Sequence, residues 1–167
     1  MDWPASGDGG GAGKICIVLT LKREWKVKME QKAVFCQRER VRWIDTDSSQ
    51  RIHFTAMFRF FEIAEQEFLR SIGFTYTSLK ELGVGLPRVG AQCNYRAIIM
   101  HDEMLDIEVR VERVGNSSVT LSYIARRQDR VVGADGQATF CAVDNHTGHS
   151  TPLPEKLRQA LLFAEHG

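Results

Sequence analysis

Asp45 and Asp47 stand two residues apart at the end of the strand-like run Val41-Arg42-Trp43-Ile44. The polar loop Ser48-Ser49-Gln50-Arg51 then carries the chain through Ile52-His53 into the apolar stretch Phe54-Thr55-Ala56-Met57-Phe58-Arg59-Phe60-Phe61-Glu62. A carboxylate in a loop that feeds a helix can serve as base or nucleophile. The first backbone N–H groups of such a helix lack intrahelical acceptors and can stabilise a developing oxyanion. The competing reading is structural, because Asp-x-Asp pairs also cap turns through hydrogen bonds to their own backbone. Residue types alone leave both readings open.

The flanking elements must hold this loop. Residues 34–43 read as a strand, with Phe35, Val41 and Trp43 on one face and Arg38, Arg40 and Arg42 on the other. Those arginines are expected to stay solvated rather than bind phosphate. A helix is predicted from about Thr55 to Ile72, because Met57, Phe61, Ala64, Phe68 and Ile72 repeat at helical period. Thr55 is the expected N-cap and Gly73 the stop. The first turn and a half is apolar nearly all round, as in a helix wrapped on most sides. Phe60 and Phe61 are therefore expected in the core, while Met57 and Phe58, beside the acid loop, are pocket candidates. Glu62 is expected to be solvated.

After a short helical turn near 76–82, the chain turns to strands. Residues 88–98 form one, and Leu105-Asp106-Ile107-Glu108-Val109-Arg110-Val111 alternates as a strand with one buried and one wet face. Gly115-Asn116 marks a hairpin, Val119 to Ala125 alternate again, and Asp135-Gly136 suggests a turn before 138–143. Pro154 opens a final helix over 155–163. The pattern predicts an α+β fold in which a curved antiparallel sheet of about five strands surrounds one long helix.

At 167 residues, with 43% hydrophobic and 26% charged residues, the chain suits one well-filled globular domain. Its 22 Lys and Arg nearly cancel its 21 Asp and Glu, which argues against nucleic acid or an anionic membrane surface as partner. Residues 5–13 are Gly-rich and Ile15 to Leu21 is too short to span a bilayer. Residues 1–28 are accordingly expected to be a dispensable extension ahead of a domain at 29–167. Cys16, Cys36, Cys93 and Cys141 form no Cys-x-x-Cys pair, and read as free thiols in a reducing cytoplasm. No metal or cofactor is expected, since phosphate-binding Gly loops, Gly-x-Ser-x-Gly and His-Glu-x-x-His are all missing. His53 is more often a loop histidine than a base.

The run Val41-Arg42-Trp43-Ile44-Asp45-Thr46-Asp47, then Ile52-His53 and Phe60-Phe61-Glu62-Ile63-Ala64, resembles the 4-hydroxybenzoyl-CoA thioesterase family. That family of hotdog-fold acyl-CoA thioesterases follows Asp-x-Asp-x-x-Gly-x-Val with a long helix carrying an aromatic-acid pair. The likeness spans about residues 33 to 160. It departs at Gln50, where Gly is expected, and at Met57, where a Tyr is usual. The resemblance implies an acyl-CoA thioesterase with Asp47 as nucleophile or general base and the backbone N–H of Phe54 as oxyanion donor. It also implies substrate contacts from His53, Thr55, Met57, Phe58 and Arg88, with Arg126 and Arg127 as further phosphate candidates. The thiol carrier would be coenzyme A or acyl carrier protein, and the assembly a homodimer or homotetramer. Two alternatives stay open: a non-catalytic acyl-CoA-binding domain, flagged by Gln50, and a hydratase or dehydratase using an Asp-His pair with His53.

Overall fold

Helix α1 (Ala56–Ser71) forms where the apolar stripe requires it, and the sheet wraps the side the stripe presents. The structure, a computed structural model, describes residues 35–166. The expected extension at 1–28 lies outside those residues. Met57, Phe60, Phe61, Ala64, Phe68 and Leu69 of α1 are all buried. Each large side chain among them removes enough apolar surface from water to contribute roughly 1.5–3 kcal/mol. Gly73, with φ +90°, ends the helical segment in a conformation glycine adopts without strain.

Among the described residues the sheet has five strands in the order β1-β4-β5-β6-β3, every neighbouring pair antiparallel. These are β1 (Phe35–Arg40), β3 (Arg88–Tyr95), β4 (Met104–Val114), β5 (Ser118–Arg127) and β6 (Val132–Cys141). A small pair, β2 (Val84–Gly85) with β7 (Val143–Asp144), stands apart; α2 (Tyr76–Glu81) follows α1, and α3 (Glu155–His166) packs against β4. This is the hotdog fold, one long helix held by a curved antiparallel sheet. Among the described residues, strands β1 and β3 form its edges.

Three expectations fail locally, each for a physical reason. Trp43 is 67% exposed, because the chain leaves β1 at Arg40 and turns through a 3-10 segment, Trp43–Asp45. Asp135 and Gly136 lie inside β6 rather than at a turn. Asp135 is buried and binds Arg96 and Asn94. A Cβ on Gly136 would come within 2.4 Å of the Gln92 carbonyl and 2.6 Å of the Phe61 ring, so glycine there lets α1 approach the sheet. The reversal instead falls at Asp129–Arg130, where Arg130 has φ +65°. The second face of β4 is not wet throughout: Glu108 and Arg110 are buried and paired, with Arg126 completing the set. Arg38 and Arg40 are exposed as expected, yet bound to Asp106 and Asp102.

Candidate active site

Backbone hydrogen bonds fold the acid loop on itself. His53 N–H donates to the Asp45 carbonyl at 2.8 Å, Thr46 bridges Ile52, and Asp47 N–H donates to the Arg51 carbonyl at 2.9 Å. The two acids thereby acquire opposite surroundings. Asp45 is 5% exposed; its Oδ2 accepts from Arg42 N–H at 2.8 Å and its Oδ1 from Arg59 at 2.5 Å. It pins the loop to α1. Asp47 faces solvent, and its Oδ1 accepts from the Ser49 hydroxyl at 2.6 Å and the Ser49 N–H at 2.8 Å. These bonds hold the Asp47 carboxyl below the usual aspartate range. The Arg51 N–H adds to the same effect.

Gln50 carries a φ of +60° at the loop tip, the left-handed region that a Cβ disfavours. The departure from the family pattern is thus in side chain and not in backbone: the loop keeps the conformation for which glycine is suited. Gln50→Gly should stabilise the fold by about 0.5–1 kcal/mol, read from the midpoint of a urea melt. A loss of stability would show that the Gln50 side chain contributes more than its backbone costs.

The helix start accounts for its donors one by one. Thr55 N–H reaches His53 Nδ1 at 3.3 Å, Ala56 N–H the His53 carbonyl at 2.9 Å, and Phe58 N–H the Thr55 carbonyl at 3.3 Å. Phe54 N–H has no acceptor among the described residues. Its carbonyl accepts from the Tyr95 hydroxyl at 2.6 Å, and its ring is 71% exposed beside that of His53, 4.6 Å between centroids. Thr55 sits at the N-cap, but its hydroxyl pairs with His53 Nδ1 at 2.8 Å instead of capping the helix. His53 is committed to the helix start, and no hydrogen bond joins it to Asp47. Met57 is a correction: at 0% exposure it belongs to the core, because its position on the stripe points it at the sheet, whereas Phe58 faces outward and lines a cavity.

That cavity, of about 170 Å³, is bounded by Phe58, Phe61, Glu62, Glu65, Arg88 and Tyr123 among others. Glu65 is only 1% exposed and was not among the residues expected at the site. Its signal was available: position 65 is four after Phe61 and three before Phe68, an acid set within an apolar stripe. It accepts hydrogen bonds from Tyr76, from Tyr123 at 3.1 Å and from Arg88 at 3.2 Å. Arg88 is thereby engaged by Glu65 and Glu62 and lies over the Phe140 ring. Arg126 and Arg127 are likewise paired, with Glu108 and with Glu103. A more open groove of about 340 Å³ borders Arg51, Ile52, Tyr95, Arg96 and Ile98.

Burial raises the Glu65 carboxyl above the ordinary glutamate range, outweighing the hydroxyls and Arg88 that favour ionisation. Between the unfolded and the folded value, the native state holds a proton that the unfolded chain has released. Stability from this group should therefore be greatest below the unfolded value of about 4.3 and decline as pH rises through the folded one. Urea melts from pH 4 upward should show that decline in the parent and not in Glu65→Gln.

Among the described residues, no cluster of His, Cys, Asp and Glu could hold a metal ion, and Cys36, Cys93 and Cys141 are free. No helix there is long and apolar enough to cross a membrane. The family model of the thioesterase-like superfamily matches residues 41–161, which includes the acid loop, α1 and the whole sheet after β1. The chain belongs to the thioesterase-like superfamily. An esterase-named protein of Aquifex aeolicus (strain VF5) is 31% identical over 127 residues, covering 76% of this chain and 97% of the relative. A 1,4-dihydroxy-2-naphthoyl-CoA hydrolase of Prochlorococcus marinus (strain MIT 9303) is 29% identical, covering 69% of this chain and 81% of the relative. A crystallised Aquifex aeolicus protein superposes with a TM-score of 0.72 at 29% identity, covering 76% of this thioesterase-like chain and 98% of that one. The DHNA-CoA thioesterase of Staphylococcus aureus shares the fold, with a TM-score of 0.75 at 17% identity and coverage of 79% and 91%.

Proposed function

We propose that this chain hydrolyses an acyl-CoA thioester to the free acid and the thiol, as the 4-hydroxybenzoyl-CoA thioesterase resemblance implies. The observation that carries the reading is one loop holding both parts the reaction needs. Asp47 is an exposed carboxylate, and Phe54 N–H stands without an acceptor among the described residues where α1 begins. The positive end of the helix dipole favours negative charge at that N–H. Asp47 would take a proton from water as the water oxygen attacks the carbonyl. The C–S bond then breaks and the thiolate leaves, taking up a proton. In the nucleophilic variant Asp47 attacks first, expels the thiolate and forms an anhydride that water hydrolyses.

The acyl group would lie along Phe58 toward the cavity at Glu65. A buried carboxylate accepts hydrogen bonds, so it favours acyl groups bearing hydroxyls over purely apolar ones. The named Prochlorococcus relative acts on such a group, a dihydroxynaphthoyl thioester. His53 and Thr55 stay at the site as neighbours of Phe54, with His53 orienting the helix start rather than moving a proton. A thiol-release assay over a panel of acyl-CoAs tests the reading: hydroxylated aromatic thioesters should be turned over fastest, and no thiol release from any of them would sink it. His53→Ala costing as much as Asp47→Asn would instead favour the hydratase mechanism.

The assembly is expected to be at least a homodimer. Among the described residues strand β3 is a sheet edge on which Val89 and Tyr95 are exposed, and such edges are commonly covered by a second chain. Light scattering at micromolar concentration should give at least twice the chain mass; an active monomer would refute this.

A further inference from the structure

We propose that Tyr95 is a positioning residue, which fixes the peptide segment at Phe54 so that the Phe54 N–H can bind the reacting carbonyl oxygen. This rests on the hydrolytic reading above and adds a residue that neither the acid loop nor the helix contains. Tyr95 comes from the end of β3, 41 positions further along the chain, and donates its hydroxyl to the Phe54 carbonyl at 2.6 Å. The Met57 N–H in turn approaches the Tyr95 phenol oxygen. One phenol therefore ties together the residue before the helix and the first turn of the helix.

The local donors explain why this matters. Thr55, Ala56 and Phe58 N–H all have acceptors, from His53 or the helix itself, and Met57 N–H approaches the Tyr95 phenol. Phe54 N–H is left over, on a residue whose side chain is exposed and does not hold it in place by packing. A donor on an unpacked residue would wander through several orientations, and preorganisation is most of what an oxyanion donor contributes. The Tyr95 bond restricts the residue without occupying the N–H, because it uses the carbonyl on the other side of the same residue. Burial raises the phenol above its ordinary range, with Cys93 on the same strand adding to the shift. The hydroxyl therefore keeps its proton throughout the range in which Asp47 titrates.

Tyr95→Phe removes the hydroxyl and keeps the ring. With the full chain and the best thioester of the panel, kcat should fall about tenfold, the scale of a misplaced catalytic group, while KM stays within about twofold. The acid limb of the pH profile should not move, since it belongs to Asp47, and the melting temperature should stay within a few degrees. A ketone analogue of the thioester, with CH2 in place of sulfur, supplies a readout independent of turnover. Its bound carbonyl stretch should lie at lower frequency in the parent than in Tyr95→Phe, because a positioned donor polarises the carbonyl. Unchanged kcat and carbonyl frequency in Tyr95→Phe, while Asp47→Asn is crippled, would overturn the proposal and leave the hydrolytic reading intact. A Tyr95→Phe chain that fails to fold would make the hydroxyl structural and also overturn it. If the parent releases no thiol and Asp47→Asn changes nothing, the hydrolytic reading fails and this proposal falls with it.

Discussion

Asp47→Asn is expected to lower kcat by roughly two to four powers of ten, the loss typical of removing an acid–base or nucleophilic group. Asparagine keeps the volume of the side chain and one oxygen that can accept from Ser49, as Asp47 Oδ1 does at 2.6 and 2.8 Å. The loop should therefore close as before, and the melting curve and the affinity for a non-hydrolysable acyl-CoA should be nearly unchanged. What disappears is the negative charge of the carboxylate. The two Ser49 bonds keep that charge in place to lower pH than usual. The acid limb of kcat/KM in the parent should then fall below the ordinary aspartate value of about 3.9. Turnover of Asp47→Asn near the parental rate would remove Asp47 from the chemistry and move the acyl-CoA-binding reading ahead.

Asp45→Asn should show the reverse balance, with a large effect on stability and a small one on rate. Asp45 is buried and uses both oxygens, one for Arg42 N–H at 2.8 Å and one for Arg59 at 2.5 Å. An asparagine in that place offers one acceptor and one donor. Whichever way the amide turns, an N–H faces another N–H, and one buried hydrogen bond to a charged group is lost. The expected cost is about 2–3 kcal/mol, measured by urea unfolding. Turnover should fall by less than about tenfold, since the catalytic carboxylate is untouched but its loop is held less firmly. If Asp45→Asn melts like the parent and loses as much turnover as Asp47→Asn, the two acids have been assigned the wrong way round.

The sequence distinguished these two acids only through a resemblance. Spacing places Asp45 and Asp47 together in a loop, but burial separates them, and burial depends on where α1 brings Arg59. Gln50 raised the same issue from the other side. By residue type it departs from glycine, yet the backbone around it takes the left-handed turn all the same, because the hydrogen bonds across the loop fix that turn. Met57 and Phe58 are neighbours with the same apolar character, and their place beside the acid loop made both pocket candidates. Rotation about the helix axis sends one into the core and the other to the cavity. Asp135-Gly136 has the composition of a turn, but a glycine required by the Phe61 ring looks identical in sequence to one required by a reversal.

By itself the sequence determined the long helix, the strand order of events along the chain and the α+β class, because periods of 3.6 and 2 are local properties written into successive residues. It also determined that acids precede a helix start. Tertiary structure alone decided which acid is buried, that Glu65 closes a cavity with Tyr76, Tyr123 and Arg88, and that Tyr95 reaches back to Phe54. Those partners lie 11 to 58 residues apart in the chain. No local period relates such positions; only the pairing of β3 with β6 and the packing of α1 across the sheet bring them within a hydrogen bond of one another.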